Sequence, residues 1–212
     1  MVGYYAKRSH SEEFQKLSLP IAKGMWVDCP NASDVQLQQL IDTYSLQANI
    51  VYDVKDKQEL SRVEFADNDT YVFVRIPTLN TTGRVVTHPM ACIVASEHFF
   101  TVSTKATVSP TSVASQLRLA TTKAGFNLLL GAIGSCVGEY EAALKHTERS
   151  IDGTGSRLRS REITNQDFIH FVVVEDNLTS CRMNLSGISA VLKRLRETTH
   201  SKLTNEQVEI LD

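Results

Sequence analysis

Between Val51 and Pro77 the chain reads VYDVKDKQELSRVEFADNDTYVFVRIP, and this stretch limits the fold more than any other. Ser61 to Phe65 alternates polar and apolar side chains, Asp67-Asn68-Asp69 is turn chemistry, and Thr70 to Ile76 is a β-branched and aromatic run. The pattern predicts a β-hairpin. Because successive side chains of a strand point to opposite faces, Arg62 and Glu64 are expected on a wet face and Val63 and Phe65 on a core face.

The rest of the first half reads as a small α+β unit. Met25 to Asp28 is a candidate strand. Ser33-Asp34-Val35-Gln36 has the spacing of a capping box and opens a helix to about Tyr44, with Val35, Leu40 and Ile41 expected inward. Ala48 to Lys55 reads as a short second helix. After the hairpin, Thr82-Gly83-Arg84 is a turn, and Pro89 to Ala95 and His98 to Ser103 are two more strands. Strands that follow one another so closely predict a mixed, largely antiparallel sheet.

Ser109-Pro110-Thr111 marks a change of regime, since proline suits the first turn of a helix and cannot continue a central strand. Residues 1–108 are therefore read as an α+β sheet unit and residues 109–212 as a helical region. In the latter, Phe126, Leu130, Ile133, Val137, Tyr140, Leu144, Thr147 and Ile151 recur at alternating spacings of four and three. Phe171, Val174, Leu178, Cys181, Leu185, Ile188, Leu192 and Leu195 do the same. Two heptad seams predict two long helices packed antiparallel on each other, with Leu185 and Leu192 between them. Gly153-Thr154-Gly155 is expected to break the helix, and Thr164-x-x-Asp167 to restart it. Gly131, Gly134 and Gly138 offer a close backbone approach near the first seam. Thr204-Asn205-Glu206-Gln207 is a further capping box, so the chain is expected to stop inside a helix.

Composition narrows the function classes. A formal net charge of −2 leaves no electrostatic footprint for nucleic acid. Cys29, Cys92, Cys136 and Cys181 lie far apart, with no C-x-x-C pair, and read as buried free thiols rather than zinc ligands. The most apolar window, Phe126 to Val137, is about 12 residues, short of the roughly 20 needed to cross a bilayer. The six histidines are scattered singly, and no Gly-rich phosphate loop, Gly-x-Ser-x-Gly elbow or His-Glu-x-x-His is present. No catalytic site can be assembled from these residues, and the chain is read as a non-enzyme. The carboxylates remain. A hard divalent cation takes oxygen ligands and keeps several waters, so one or two carboxylates can suffice for a regulatory site.

Asp53, followed by Glu59-x-Ser61-Arg62-Val63-Glu64 and an apolar strand ending in Ile76-Pro77, resembles the soluble N-terminal domain of the CorA family of divalent-cation transporters. Trp26-Val27-Asp28, His98 to Val102 and Asn184 to Leu195 extend the resemblance along the chain. It implies an α/β/α-layered domain followed by a long antiparallel helical hairpin, ahead of a stalk and two transmembrane helices that lie beyond Asp212. It also implies a domain on the cytoplasmic side of the cell membrane, within a homopentamer that carries magnesium or another divalent cation. The family aspartate of a regulatory metal site between subunits falls on Asp53, as a half-site whose partner carboxylate comes from the stalk. Asp152 falls on a second acidic position, although Gly153-Thr154-Gly155 replaces the usual acidic continuation, and Tyr52 stands where some relatives carry a carboxylate. Glu59, Ser61, Arg62 and Glu64 are then a structural motif, in which Arg62 and Glu64 pair across the sheet with neighbours or Arg62 reaches back to a carboxylate such as Glu59 or Asp53. The competing reading is a soluble interaction module whose heptad helices bind a partner protein, with incidental carboxylates.

Overall fold

The computed structural model describes residues 2–9, 12–21, 23–116, 121–122, 124–158 and 165–199, leaving aside the side chains of residues 152–158 and 199. Seven strands, β1 (Gly3–Ala6), β2 (Gln15–Leu17), β3 (Met25–Cys29), β4 (Arg62–Ala66), β5 (Asp69–Leu79), β6 (Val85–Val94) and β7 (His98–Val102), form one sheet. Their spatial order is β2-β1-β3-β7-β6-β5-β4. Every pair is antiparallel except β3 with β7, which runs parallel from Met25↔His98 to Cys29↔Val102. The connection from β3 to β7 carries the predicted hairpin, which extends the sheet on the far side of β7.

Helices cover both faces, as a sheet whose central strands are apolar on both sides requires. On one face α1 (Asp34–Tyr44) and α2 (Ala48–Val51) pack over Val27, Tyr71, Phe73, Ile93 and Phe100. On the other, α3 (Pro110–Gln116), α4 (Gly125–Leu158) and α5 (Asn165–Thr199) cover Trp26, Val72, Val74, Met90, Cys92 and Phe99. The fold is thus a layered α+β unit with a long helical pair.

The capping box forms as its spacing predicts: Ser33 Oγ accepts from Gln36 N, and Ser33 N donates to the Gln36 side chain. The inward face of α1 is Leu37, Leu40 and Ile41. Val35 is instead 66% exposed, because it lies roughly 200° around the helix from Leu37. The segment from Ala48 to Lys55 is not one helix but α2 followed by a 3-10 turn, Tyr52–Lys55. In the hairpin Val63 is buried as expected, whereas Phe65 is 45% exposed. Phe65 sits beside the Asp67-Asn68 turn, outside the cluster that joins Val63 to the helices.

The helical half departs from expectation in two ways. First, α4 runs unbroken through Gly153-Thr154-Gly155 to Leu158; glycine lowers helix propensity by about 1 kcal/mol without forbidding the conformation. Second, the buried line of α5 is Val174, Asn177, Cys181, Ile188, Val191 and Leu195. Half of the expected seam is therefore displaced: Phe171 and Leu178 are 41% and 45% exposed, while Leu185 and Leu192 are only partly buried against the core. Polar Asn177 takes the place beside the sheet because it has specific work there. Its Oδ1 accepts from Val85 N at 2.8 Å, and its Nδ2 donates to Gly83 O at 3.0 Å and to Thr147 Oγ1 at 3.3 Å. One amide thereby ties α5 to the β5–β6 turn and to α4. The contacts Thr147–Asn177 and Ser150–His170 run in opposite chain directions, so the two helices are antiparallel. Gly134 and Gly138 do permit a close approach, but to α3: a Cβ at either would meet Gln116 at 3.4 Å. The capping residues Thr164 and Thr204 to Gln207 lie outside the described residues.

All four cysteines are buried and free. Burial pushes their thiols up, to about 11 for Cys29 and about 12 for Cys136, which leaves them protonated packing groups rather than reactive thiolates.

The displaced seam sets a comparison. Ile188→Ala, at a fully packed position, is expected to cost about 2–5 kcal/mol in urea denaturation, and Leu185→Ala at least about 1 kcal/mol less. Equal losses would place both residues in the same seam.

Candidate carboxylate site at the sheet edge

The motif residues meet at the outer edge strand. Asp53 lies in the 3-10 turn, whose exit is shaped by Asp56 N donating to Asp53 O at 3.0 Å and Glu59 N to Asp56 O at 3.0 Å. The chain then enters β4, where Arg62 stands opposite Phe73 of β5. The guanidinium lies 4.2 Å from the centroid of the Phe73 ring and reaches three carboxylates. Its Nη2 donates to Asp53 Oδ2 at 2.6 Å, its Nε to Glu64 Oε1 at 2.6 Å, and its Nη1 to Glu59. Burial works to lower the Arg62 pKa, but Glu64, Asp53 and Glu59 outweigh it and the net shift is upward. Arg62 is a fixed cation at the centre of an acidic rim.

The rim is graded. The side chain of Glu59 is only 14% exposed and also accepts from Leu60 N at 3.0 Å, whereas those of Asp53 and Glu64 are 41% and 38% exposed. Asp53 therefore turns part of its surface to solvent. Tyr52 beside it is engaged elsewhere, its hydroxyl donating to Gln38 at 2.8 Å and its ring lying under Lys55. Ser61 faces the other way, onto Gly187 of α5, where an added Cβ would come within 3.2 Å of the serine. All six carrying residues of the motif are thus placed: Asp53, Glu59, Arg62 and Glu64 form the cluster, Val63 enters the core and Ser61 contacts the helix layer. Asp152 lies on α4, far along the chain from this cluster, and its side chain is outside the described residues.

Sequence reading missed Arg75, which supports the site, and Asp28, a buried carboxyl on β3 away from it. Arg75 donates to Glu59 O at 2.6 Å, Lys57 O at 2.9 Å, and Thr87 Oγ1 and O at 2.9 Å each, stapling the turn before β4 to the sheet. Its own carbonyl accepts from Tyr140 Oη at 2.8 Å and Cys136 Sγ at 3.2 Å on α4. Nothing in a run such as Phe73-Val74-Arg75-Ile76 signals these partners, except that an arginine within an apolar strand has to find acceptors. The second is Asp28 on β3, which is only 7% exposed. It accepts from Thr101 Oγ1 at 2.7 Å, and that hydroxyl accepts from Trp26 Nε1 at 2.8 Å. Desolvation raises the Asp28 pKa, against the hydrogen bonds from Thr101 and Thr107. Among the described residues no group of three or more His, Cys, Asp or Glu side chains is arranged to hold a metal ion. The acidic groups at the edge are spread around a guanidinium.

A family model, CorA-like Mg2+ transporter protein, matches residues 22–212. The chain belongs to this family. A search of the curated proteins finds no match. Among solved structures, the complete CorA magnesium transporter from Methanocaldococcus jannaschii superposes with a TM-score of 0.81 at 15% identity, over 100% of this chain and 67% of that one. The soluble domain of the same archaeal CorA gives 0.80 at 15% identity, over 100% and 85%. The ZntB cytoplasmic domain from Vibrio parahaemolyticus gives 0.67 at 10% identity, over 99% and 85%. At these identities the superpositions establish a shared fold. No helix among the described residues of this CorA-like chain is long and apolar enough to cross a membrane.

The buried carboxyl of Asp28 gives a pH test. Its pKa is raised in the folded state, so its contribution to stability is complete below the ordinary carboxylate value of about 3.9 and is lost as pH rises through the raised value. Asp28→Asn is expected to flatten this fall, gaining stability relative to the parent in denaturation midpoints as pH rises above the ordinary carboxylate value. A difference between the two proteins that does not change with pH would mean Asp28 ionises normally.

Proposed function

We propose that the chain is the cytoplasmic domain of a CorA-like transporter for magnesium or another divalent cation, and that Asp53 supplies half of a regulatory metal site at a subunit contact. Family membership over residues 22–212 supports the transporter reading. The observation that carries the site is the position of Asp53: a carboxylate held in place on one side by Arg62 and 41% exposed on the other, on an edge turn where a second carboxylate can approach. A hard cation with oxygen ligands fits such a group, and waters fill the remaining positions. The partner ligand in this reading belongs to a neighbouring subunit's stalk. Metal bound between subunits favours the arrangement in which both halves meet, and loss of metal favours the other state, to the extent of the difference in affinity.

Self-association also has a surface to draw on. Phe168, Ile169 and Val172 near the start of α5 are 61%, 65% and 53% exposed, and apolar side chains gathered on one helix mark an interaction face. The homopentamer, held mainly by the membrane segments, is part of the proposal, as is the second, weaker role of Asp152.

The test uses the full-length transporter. Magnesium at ~10 times its dissociation constant adds about 1.4 kcal/mol to the state that binds it, so millimolar magnesium is expected to raise protease resistance and thermal midpoint. Asp53→Asn keeps the shape and removes the charge, and is expected to abolish most of this protection while leaving the circular dichroism unchanged. Undiminished protection in Asp53→Asn would remove Asp53 from the metal site.

A further inference from the structure

We propose that Arg75 is a mechanical link between α4 and the outer edge of the sheet: the turn from Lys57 to Leu60 opens and closes with the hydrogen bonds that α4 makes to the Arg75 carbonyl. This link holds whether or not Asp53 meets a metal. Two ends of one residue carry it. At the side-chain end, Nη1 donates to Glu59 O at 2.6 Å and Nη2 to Lys57 O at 2.9 Å. The same guanidinium is braced on β6, where Nε donates to Thr87 Oγ1 and Nη2 to Thr87 O, both at 2.9 Å. A planar fork of fixed donors cannot move without carrying these acceptors or losing them.

At the main-chain end, the Arg75 carbonyl accepts from Tyr140 Oη at 2.8 Å and Cys136 Sγ at 3.2 Å. Both donors are fully buried and stand four residues apart, on one face of α4. β4 pairs with β5 only as far as Arg62↔Phe73, so on that side the strand at Arg75 is held by the helix and not by a ladder. A shift of α4 is therefore delivered to the Arg75 main chain and, through its guanidinium, to the turn that leads into Arg62. The second long helix meets the end of the same segment, where a Cβ added at Gly187 of α5 would come within 3.2 Å of Ser61. Within the turn the amides bond locally: Gln58 N donates to Asp56 Oδ1 at 2.8 Å, Glu59 N to Asp56 O at 3.0 Å and Leu60 N to Glu59 Oε1 at 3.0 Å. None of these three bonds involves α4. Their opening responds to a change in α4 only where that change is transmitted.

Amide hydrogen exchange of the protein tests the link residue by residue. Tyr140→Phe keeps the buried ring and removes only the hydroxyl, and it is expected to speed exchange at Gln58, Glu59 and Leu60 about three- to tenfold, as the loss of one hydrogen bond allows. The Leu46 amide, which donates to Ile41 O at 3.1 Å beyond α1, serves as the control and is expected to change less than about twofold. Arg75→Lys keeps the charge but cannot bridge two carbonyls, and it is expected to speed the same three amides; adding Tyr140→Phe to it is expected to speed them no further, because the route from α4 is already cut. Unchanged exchange at the turn in Tyr140→Phe overturns the proposal. So does a rise of the same size at Leu46, which marks a general loss of stability, and so does full additivity of the two substitutions, which marks two independent contacts.

Discussion

The rest of the structure depends on the two-sided burial of β5 and β6. Met90 and Cys92 on one face of β6, and Ala91 and Ile93 on the other, are all fully inaccessible, as are Val72 and Val74 of β5. Strands of this kind cannot exist at a solvent boundary, since each apolar face requires a covering layer. The short helices after β3 supply one layer and the long pair after β7 the other. The acidic motif appears on β4, the last strand of the order.

Arg75 connects this edge to the centre. Its side chain ties the turn before β4 to β6, while its carbonyl takes hydrogen bonds from Tyr140 and Cys136 of α4. β4 begins opposite Phe73, so Arg75 lies beyond the paired stretch, and the helix provides the donors that a strand does not. Through this residue the position of the Asp53–Glu59 turn is referenced to both the sheet and the helical layer. The acidic motif is thereby built onto the sheet and the helical layer rather than on a free loop.

Much of this was legible in the residues. The hairpin, its Asp-Asn turn, the capping box of α1 and the onset of helix at Pro110 all follow from local preferences that the tertiary structure had no reason to override. The strands β1 and β2 were not legible. Each is short, at four and three residues, and gains its regularity only from pairing, β1 with β3 and β2 with β1. The seam of α5 was half legible: Val174, Cys181, Ile188 and Leu195 are in both the expected and the observed lines. The other half went to Asn177 and Val191 because a hydrophobic count has no means of ranking an asparagine above Phe171 or Leu178. Only the approach of the β5–β6 turn, with the Val85 amide and the Gly83 carbonyl unpaired on that side, makes an amide the better residue there.

The sequence by itself determined the α+β class, the hairpin, the change to helix at Pro110, the burial of the cysteines and the grouping of Arg62 and Glu64 on one strand face, because strand alternation, capping and turn chemistry are properties of neighbouring residues. Tertiary structure decided which of the candidate carboxylates Arg62 holds, how exposed Asp53 remains, where Arg75 finds its acceptors and which line of α5 is buried. These are settled by groups brought together from distant parts of the chain, whose desolvation and hydrogen bonding depend on packing that no local pattern encodes.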